Sequence, residues 1–125
     1  VDIYAWSKLG GECSAYAVPD HLVIRSSFGD PVFEHEHAYI DQWTSRDSVE
    51  VIAPKILKAA LSHVVGVLHI GAERRTVYEY AMSLPSSRGR VFEKISRVDS
   101  SFKMPKDTSL NTDKYKKLFT DYDKT

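Results

Sequence analysis

The chain has 125 residues, 42% apolar and 27% charged, which suits one ordinary globular domain or part of a larger one. Lys plus Arg and Asp plus Glu each number 17, and a formal net charge of zero argues against non-specific nucleic-acid binding through excess positive charge. The one cysteine, Cys13, excludes an internal disulfide and makes a reducing, cytoplasmic setting the simpler expectation.

The longest apolar run, residues 64–70, is interrupted by Gly66 and His69 and is too short to span a bilayer. No charged-then-apolar leader opens the sequence. The first residue is Val1, and a helix signal follows almost at once. The expectation is a piece of a longer polypeptide.

Residues 3–17 read as a helix, with Asp2 as N-cap and Pro19-Asp20 as the stop. Gly10-Gly11 inside it costs about 1 kcal/mol per glycine relative to alanine, tolerable where another backbone packs closely. Tyr4, Lys8 and Glu12 share a face at i, i+4 spacing. Residues 21–25 (HLVIR) read as a strand buried on both faces, hence parallel. Residues 26–46 show no period, apart from the turn signal Gly29-Asp30-Pro31 and a short strand expected within 38–44.

Val49, Ile52, Ala53, Ile56, Leu57, Ala60 and Leu61 form a 3.6-residue stripe, so a core-facing helix starts near Ser48. Pro54 sits badly there, which predicts a late start or a kink. Residues 66–70 (GVLHI) form a second buried strand. Thr76 and Glu79 make a capping box for a helix reaching about Leu84. A strand-like run covers residues 90–98, and Thr112 is placed to cap a last helix through Phe119. The alternation of helix and strand predicts an α/β arrangement with parallel strands. The two apolar strands make a poor sheet by themselves, so the chain reads as the second half of a doubly wound domain.

The spacing Tyr4-x-x-x-Lys8 has a chemical meaning. A lysine one helical turn from a tyrosine supplies positive charge that favours the phenolate, making it a usable acid or base. Such spacing also arises by chance, and two ordinary helix residues are the simpler reading of spacing alone. Arg74-Arg75 reads either as a bidentate clamp for a diphosphate or as a solvated loop pair. Lys103 and Lys106 carry the same two readings. Residues 34–37 (EHEH) put His35 and His37 on one face, but a strong metal signature needs further ligands at set spacing, so a solvated loop is the better reading and no metal is expected. His69 in an apolar strand reads as a buried, hydrogen-bonded histidine, and Cys13 as inert. Asp41, Gln42 and Trp43 fit either a substrate-facing role or buried polar packing.

Context bears on the Tyr-Lys pair. YAWSKLGGE followed by HLVIRSSFG resembles the extended short-chain dehydrogenase/reductase family, with its Tyr-x-x-Ser-Lys-x-x-Gly-Glu helix and a strand ending in Arg-Ser-Ser. DQWTSRDSVEVIA, GVLHIGAERRTVYEYA and PKDTSLNTDKYKKL resemble, in the same order, segments of the dTDP-4-dehydrorhamnose reductase-like branch. The resemblance covers nearly the whole chain. It implies a Rossmann-like NAD(P)-binding fold, of which this chain is the carboxyl-terminal portion. Residues 1–30 would hold the catalytic helix and following strand, and residues 31–125 the substrate-binding part with returning sheet elements.

The resemblance also implies a reductase, dehydratase or epimerase acting on a nucleotide-linked sugar. Tyr4 would transfer the proton, and Lys8 would lower its pKa and hold the nicotinamide ribose. Ser26 and Ser27 would lie beside the nicotinamide and Phe28 beside the sugar, with Arg74 and Arg75 as diphosphate candidates. NAD or NADP is the implied cofactor. A homodimer, or association with an amino-terminal half, is the implied assembly. The same fold occurs as the non-enzymatic regulatory subunit of methionine adenosyltransferase, which is the alternative. Two departures stand out. The glycine-rich dinucleotide fingerprint is absent from this sequence, and Ser45-Arg46 stands where the branch has Ser-Pro.

Overall fold

In the computed structural model, which describes residues 2–119, helix α1 spans Ile3–Tyr16. Asp2 caps it by accepting the Ala5 N–H at 2.8 Å. None of its residues is buried. A Cβ added at Gly10 or Gly11 would meet nothing within 4 Å, so the close backbone contact expected there is not made among the described residues.

Strand β1 (Leu22–Ser26) pairs in parallel with Gly66–Ile70, in register from Leu22 opposite Gly66 to Ser26 opposite Ile70. Alternate residues of a strand face opposite sides. Leu22 and Ile24 pack into a core with Leu68, Ile70, Ile52, Ala59 and Phe119. On the other side Val23 is buried but Arg25 is exposed, so burial on both faces is only partial. The reason is that, among the described residues, this side meets the sparsely packed α1.

Between the paired strands the chain forms the short strands β2 (Phe28–Gly29), β3 (His37–Tyr39), β4 (Trp43–Thr44) and β5 (Asp47–Ser48), then helix α2 (Val49–Ala60). The second partner of the parallel pair is thus β6 (Gly66–Ile70). Helix α2 does not start late: it begins directly after Ser48 and carries Pro54 inside. Both Pro54 and Glu50, whose carbonyl loses its helical donor to the ring, are exposed, so water can serve that carbonyl.

Beyond β6 lie β7 (Arg75–Thr76), α3 (Val77–Ser83), β8 (Glu93–Ile95) and α4 (Asp113–Phe119). The capping box is made in full: Glu79 N–H donates to Thr76 Oγ1 at 3.1 Å and Thr76 N–H donates to Glu79 Oε2 at 2.7 Å. At α4, Asn111 Oδ1 accepts the Asp113 N–H, and the Thr112 carbonyl accepts the Lys116 N–H. Three further strand pairs complete the frame. β2 runs parallel to β5, β3 parallel to β8, and β4 antiparallel to β7. Ala38, Ala81 and Phe92 form a second core with Phe33, Val77 and Tyr78 around them. The result is a mixed α/β arrangement whose parallel pairs place the ends of β1 and β2 beside the loops that follow.

Candidate functional site

Tyr4 and Lys8 lie one turn apart on α1, and the Lys8 ammonium sits 5.3 Å from the centre of the Tyr4 ring. Tyr4 is 69% exposed. Both line an open cleft of about 590 Å³. Its opposite wall is the carboxyl end of β1 and the residues after it: Arg25, Ser26, Ser27 and Phe28. Carboxyl ends of parallel strands are where open α/β sheets bind ligands.

What holds α1 against β1 is an ion pair. Arg25 donates to both oxygens of Glu12, Nε to Oε1 at 2.7 Å and Nη2 to Oε2 at 2.8 Å. The Tyr16 hydroxyl adds a 3.3 Å bond to Glu12 Oε2. The Arg25 hydrogen bonds hold the Glu12 carboxyl below the usual carboxylate range, against a smaller opposing effect of burial. Arg25 Nη1 also lies 3.4 Å from His69 Nε2. His69 is half-buried rather than buried, because its strand neighbour is the exposed Arg25.

Ser26 and Ser27 part company. The Ser26 hydroxyl donates to the Ile70 carbonyl at 2.8 Å and so closes the end of the β1–β6 pair. Ser27 lines the Tyr4 cleft and also a second cleft of about 390 Å³. Arg46 is the other residue shared by both. Its guanidinium lies over Gly29: a Cβ there would fall 2.5 Å from Arg46 Nη2. Sequence reasoning noticed Arg46 only as a departure from Ser-Pro. No local signal could have found it, because Arg46 meets Gly29 only through the pairing of β2 with β5.

The second cleft is walled by Phe33, His35, His37 and Tyr39, successive alternate residues of one extended segment. The His35 and His37 rings stack at 5.9 Å between centres, with Phe33 edge-on to His35 and Tyr39 edge-on to His37. These histidines are exposed but line a cleft, where the sequence suggested a plain solvated loop. Tyr80 closes the far side, and burial pushes its phenol up. Among the described residues, no group of three or more His, Cys, Asp and Glu side chains is placed to hold a metal ion.

Arg74 and Arg75 are not brought to the Tyr4 cleft, nor to each other. As neighbours in extended chain they point opposite ways. Arg74 donates to Asp107 at 3.0 Å and lies 4.0 Å over the Trp43 ring. Arg75 pairs with Asp47 at 3.2 Å and donates to the Arg46 carbonyl. Each guanidinium therefore ties a loop to the frame. Asp41 likewise anchors the turn after β8, accepting from Ser96 Oγ at 2.5 Å and Arg97 N–H at 2.7 Å. The Gln42 amide donates to the Pro105 carbonyl while lining the second cleft. Cys13 is exposed on α1.

No family model matches the sequence. No curated protein matches it either. A solved structure does match the fold: a hypothetical dTDP-4-dehydrorhamnose reductase from Sulfolobus tokodaii, with a TM-score of 0.70 and 23% identity. The match covers 94% of this chain and 48% of that one. The fold is a partial Rossmann-like α/β fold. This chain spans about half the length of the neighbour. No helix among the described residues is long and apolar enough to cross a membrane.

Proposed function

We propose that this chain forms the catalytic-helix and substrate-side portion of an NAD(P)-dependent oxidoreductase that acts on a nucleotide-linked sugar. The observation that carries the reading is the placement of Tyr4 and Lys8 on one wall of a cleft whose other wall is the carboxyl end of β1 with Ser27. A fold shared with a protein described as a hypothetical dTDP-4-dehydrorhamnose reductase supports it.

In this reading Tyr4 Oη gives a proton to, or takes one from, the oxygen at the reacting sugar carbon. Lys8 places its ammonium 5.3 Å from the ring centre, where it stabilises negative charge that develops on the oxygen as the proton moves. The Glu12–Arg25 pair fixes α1, and with it the distance from Tyr4 to the end of β1. When bound, a nicotinamide nucleotide supplies or accepts the hydride. The residues present fit one end of such a nucleotide. Lys8, Tyr4 and Ser27 offer an ammonium and two hydroxyls on facing walls, while the single carboxylate there, Glu12, is already neutralised by Arg25. They would hold the nicotinamide ribose. No glycine-rich turn in this sequence suits the pyrophosphate.

The test is titration of NADH and NADPH into the intact protein, followed by absorbance assays with a panel of nucleotide sugars. Binding of either nucleotide and sugar-dependent change at the nicotinamide band are expected. A folded protein that binds neither and turns over none overturns the reading.

A further inference from the structure

A third cleft, of about 550 Å³, lies between α2, the turn after β6 and α4. It shares no lining residue with the Tyr4 cleft or with the second cleft. Four cationic side chains line it: Lys55 and Lys58 of α2, Arg75 of β7 and Lys116 of α4. One carboxylate, Glu73, lines it too. Asp47 acts on Arg75, and Asp113 on Lys116, from outside the lining. Three separate segments thus bring like charges to one place, which is unfavourable unless an anion answers them.

Lys55 is held by uncharged groups. Its ammonium donates to the Gly71 carbonyl at 3.3 Å and lies 5.9 Å over the Tyr115 ring, and no carboxylate among the described residues pairs with it. Lys116 is held by Glu73 at 2.7 Å. That hydrogen bond keeps the Glu73 carboxyl below the usual carboxylate range, and Lys55 adds to the effect, so the field of both lysines reaches into the cleft. The Glu73 side chain is 80% exposed, so it can turn to solvent and give up Lys116 at little cost. Thr112 points the same way. It lines the cleft and is only 7% exposed, yet its hydroxyl has no hydrogen-bond partner among the described residues. A nearly buried hydroxyl is costly to leave in that state.

We infer that this cleft is a separate anion site that takes a phosphate group, free or as the end of a small phosphorylated metabolite, with Lys55, Lys116 and the Thr112 hydroxyl on its oxygens and Glu73 displaced toward solvent. A carboxylate brings one charge and two oxygens. A phosphate brings nearly two charges and at least three acceptor oxygens on one centre, which donors from two helices and a loop can share. Ammonium groups bind it as point charges, without the planar fork that an arginine would impose. The volume leaves room for the rest of a small metabolite. This site stands whether or not Tyr4 transfers a proton: phosphate binding needs no hydride transfer, and hydride transfer needs no anion here.

The experiment is calorimetric titration of the intact protein, without nicotinamide nucleotide or nucleotide sugar, using inorganic phosphate, glycerol 3-phosphate and, as the uncharged control, glycerol. Saturable binding of at least one phosphate probe is expected, and none of glycerol. Tighter binding of glycerol 3-phosphate assigns the site to a metabolite, and tighter binding of inorganic phosphate assigns it to the free ion. Lys55→Met and Lys116→Met should each weaken the probe by about tenfold. Glu73→Gln, which removes the competing carboxylate, should tighten it severalfold. Lys8→Met in the Tyr4 cleft and Lys94→Met, outside all three clefts, should leave it unchanged. If a lysine variant unfolds, the parent answers by NMR: the amide signals of Ala72, Glu73 and Thr112 should move with the phosphate probe while those of Tyr4 and Lys8 stay. No saturable binding of either phosphate probe up to about 10 mM overturns the inference. So do Lys55→Met and Lys116→Met proteins that bind as the parent does. Binding that disappears in Lys8→Met would put the anion in the Tyr4 cleft and overturn it as well.

Discussion

Glu12 and Arg25 face each other across α1 and β1, guanidinium to carboxylate, through two bonds of 2.7 and 2.8 Å. Since α1 buries no residue, this pair is the principal polar tie between the helix that carries Tyr4 and Lys8 and the strand that ends at Ser26. Glu12→Gln keeps the shape and removes the charge. The variant is expected to lose turnover, by up to about 10²-fold if the helix shifts by an ångström, and to raise amide exchange along α1. Unchanged exchange with unchanged kinetics would remove Glu12 from any positioning role.

The same pair has a pH signature. The folded-state pKa of Glu12 is lowered from 4.5, so its contribution is fully present above that value and is lost as pH falls through the lower folded one. Exchange protection of α1 should be level from pH 7 to 5 and decline only below 4.5. A decline that begins well above 4.5 would remove Glu12 as its cause.

Tyr4→Phe removes only a hydroxyl from a residue that is 69% exposed. The melting temperature is expected to stay within the small range of surface substitutions. Turnover in the intact protein is expected to fall by about 10²- to 10⁴-fold, the usual worth of a positioned acid or base. Lys8→Met should lower turnover too. A Tyr4→Phe protein with full turnover would place the proton transfer elsewhere.

Thr76 caps α3 through a completed capping box and is 8% exposed. Thr76→Ala is expected to cost about 1 kcal/mol, read as a lower denaturant midpoint with an unchanged slope. Arg75 and Val77 flank this cap, so some of the loss should also appear as looser packing around Tyr80, visible in its ring resonances.

Leu68 is fully buried in the middle of β6, against Ile52, Ala59, Ile70 and Phe119. Leu68→Ala is expected to cost about 2–5 kcal/mol by chemical denaturation. Leu61→Ala, at a position 78% exposed just after α2, should change stability by less than about 0.5 kcal/mol. Similar costs at both sites would mean that the core is not where β1, β6, α2 and α4 meet.

Asp107 holds the segment before α4 in place. The Ser109 hydroxyl and N–H donate to Oδ1, and Arg74 donates to Oδ2. Those bonds pull its carboxyl down to about 2 from 3.8. Its stabilising contribution is therefore complete above 3.8 and lost as pH falls through about 2. A carboxyl-carbon NMR titration should find the midpoint near 2. Asp107→Asn should release Arg74 from one of its two contacts and broaden the Trp43 indole signal.

The local elements were readable because their causes are local. Asp2, Ser48 and Thr76 each stand where their helix begins, and the apolar runs at 21–25 and 66–70 became, to within one residue, the parallel pair of β1 and β6. The turn-to-turn meeting of Tyr4 and Lys8 followed from helical spacing alone. Pro54 pointed to a late start because propensity weighs against a proline inside a helix, while an exposed site lets water serve the orphaned carbonyl.

Tertiary structure decided the rest, since it depends on which distant segments lie side by side. Pairing of β2 with β5 set Arg46 over Gly29 and beside Ser27, three residues no local pattern connects. Pairing of β3 with β8, with Arg90 behind it, turned residues that read as a charged loop into the His35–His37 wall of a cleft. Pairing of β4 with β7 sent Arg74 to Asp107 and Arg75 to Asp47, where adjacency in sequence had suggested one clamp. A sequence specifies such contacts only through the whole fold, because each depends on the register of strands tens of residues apart.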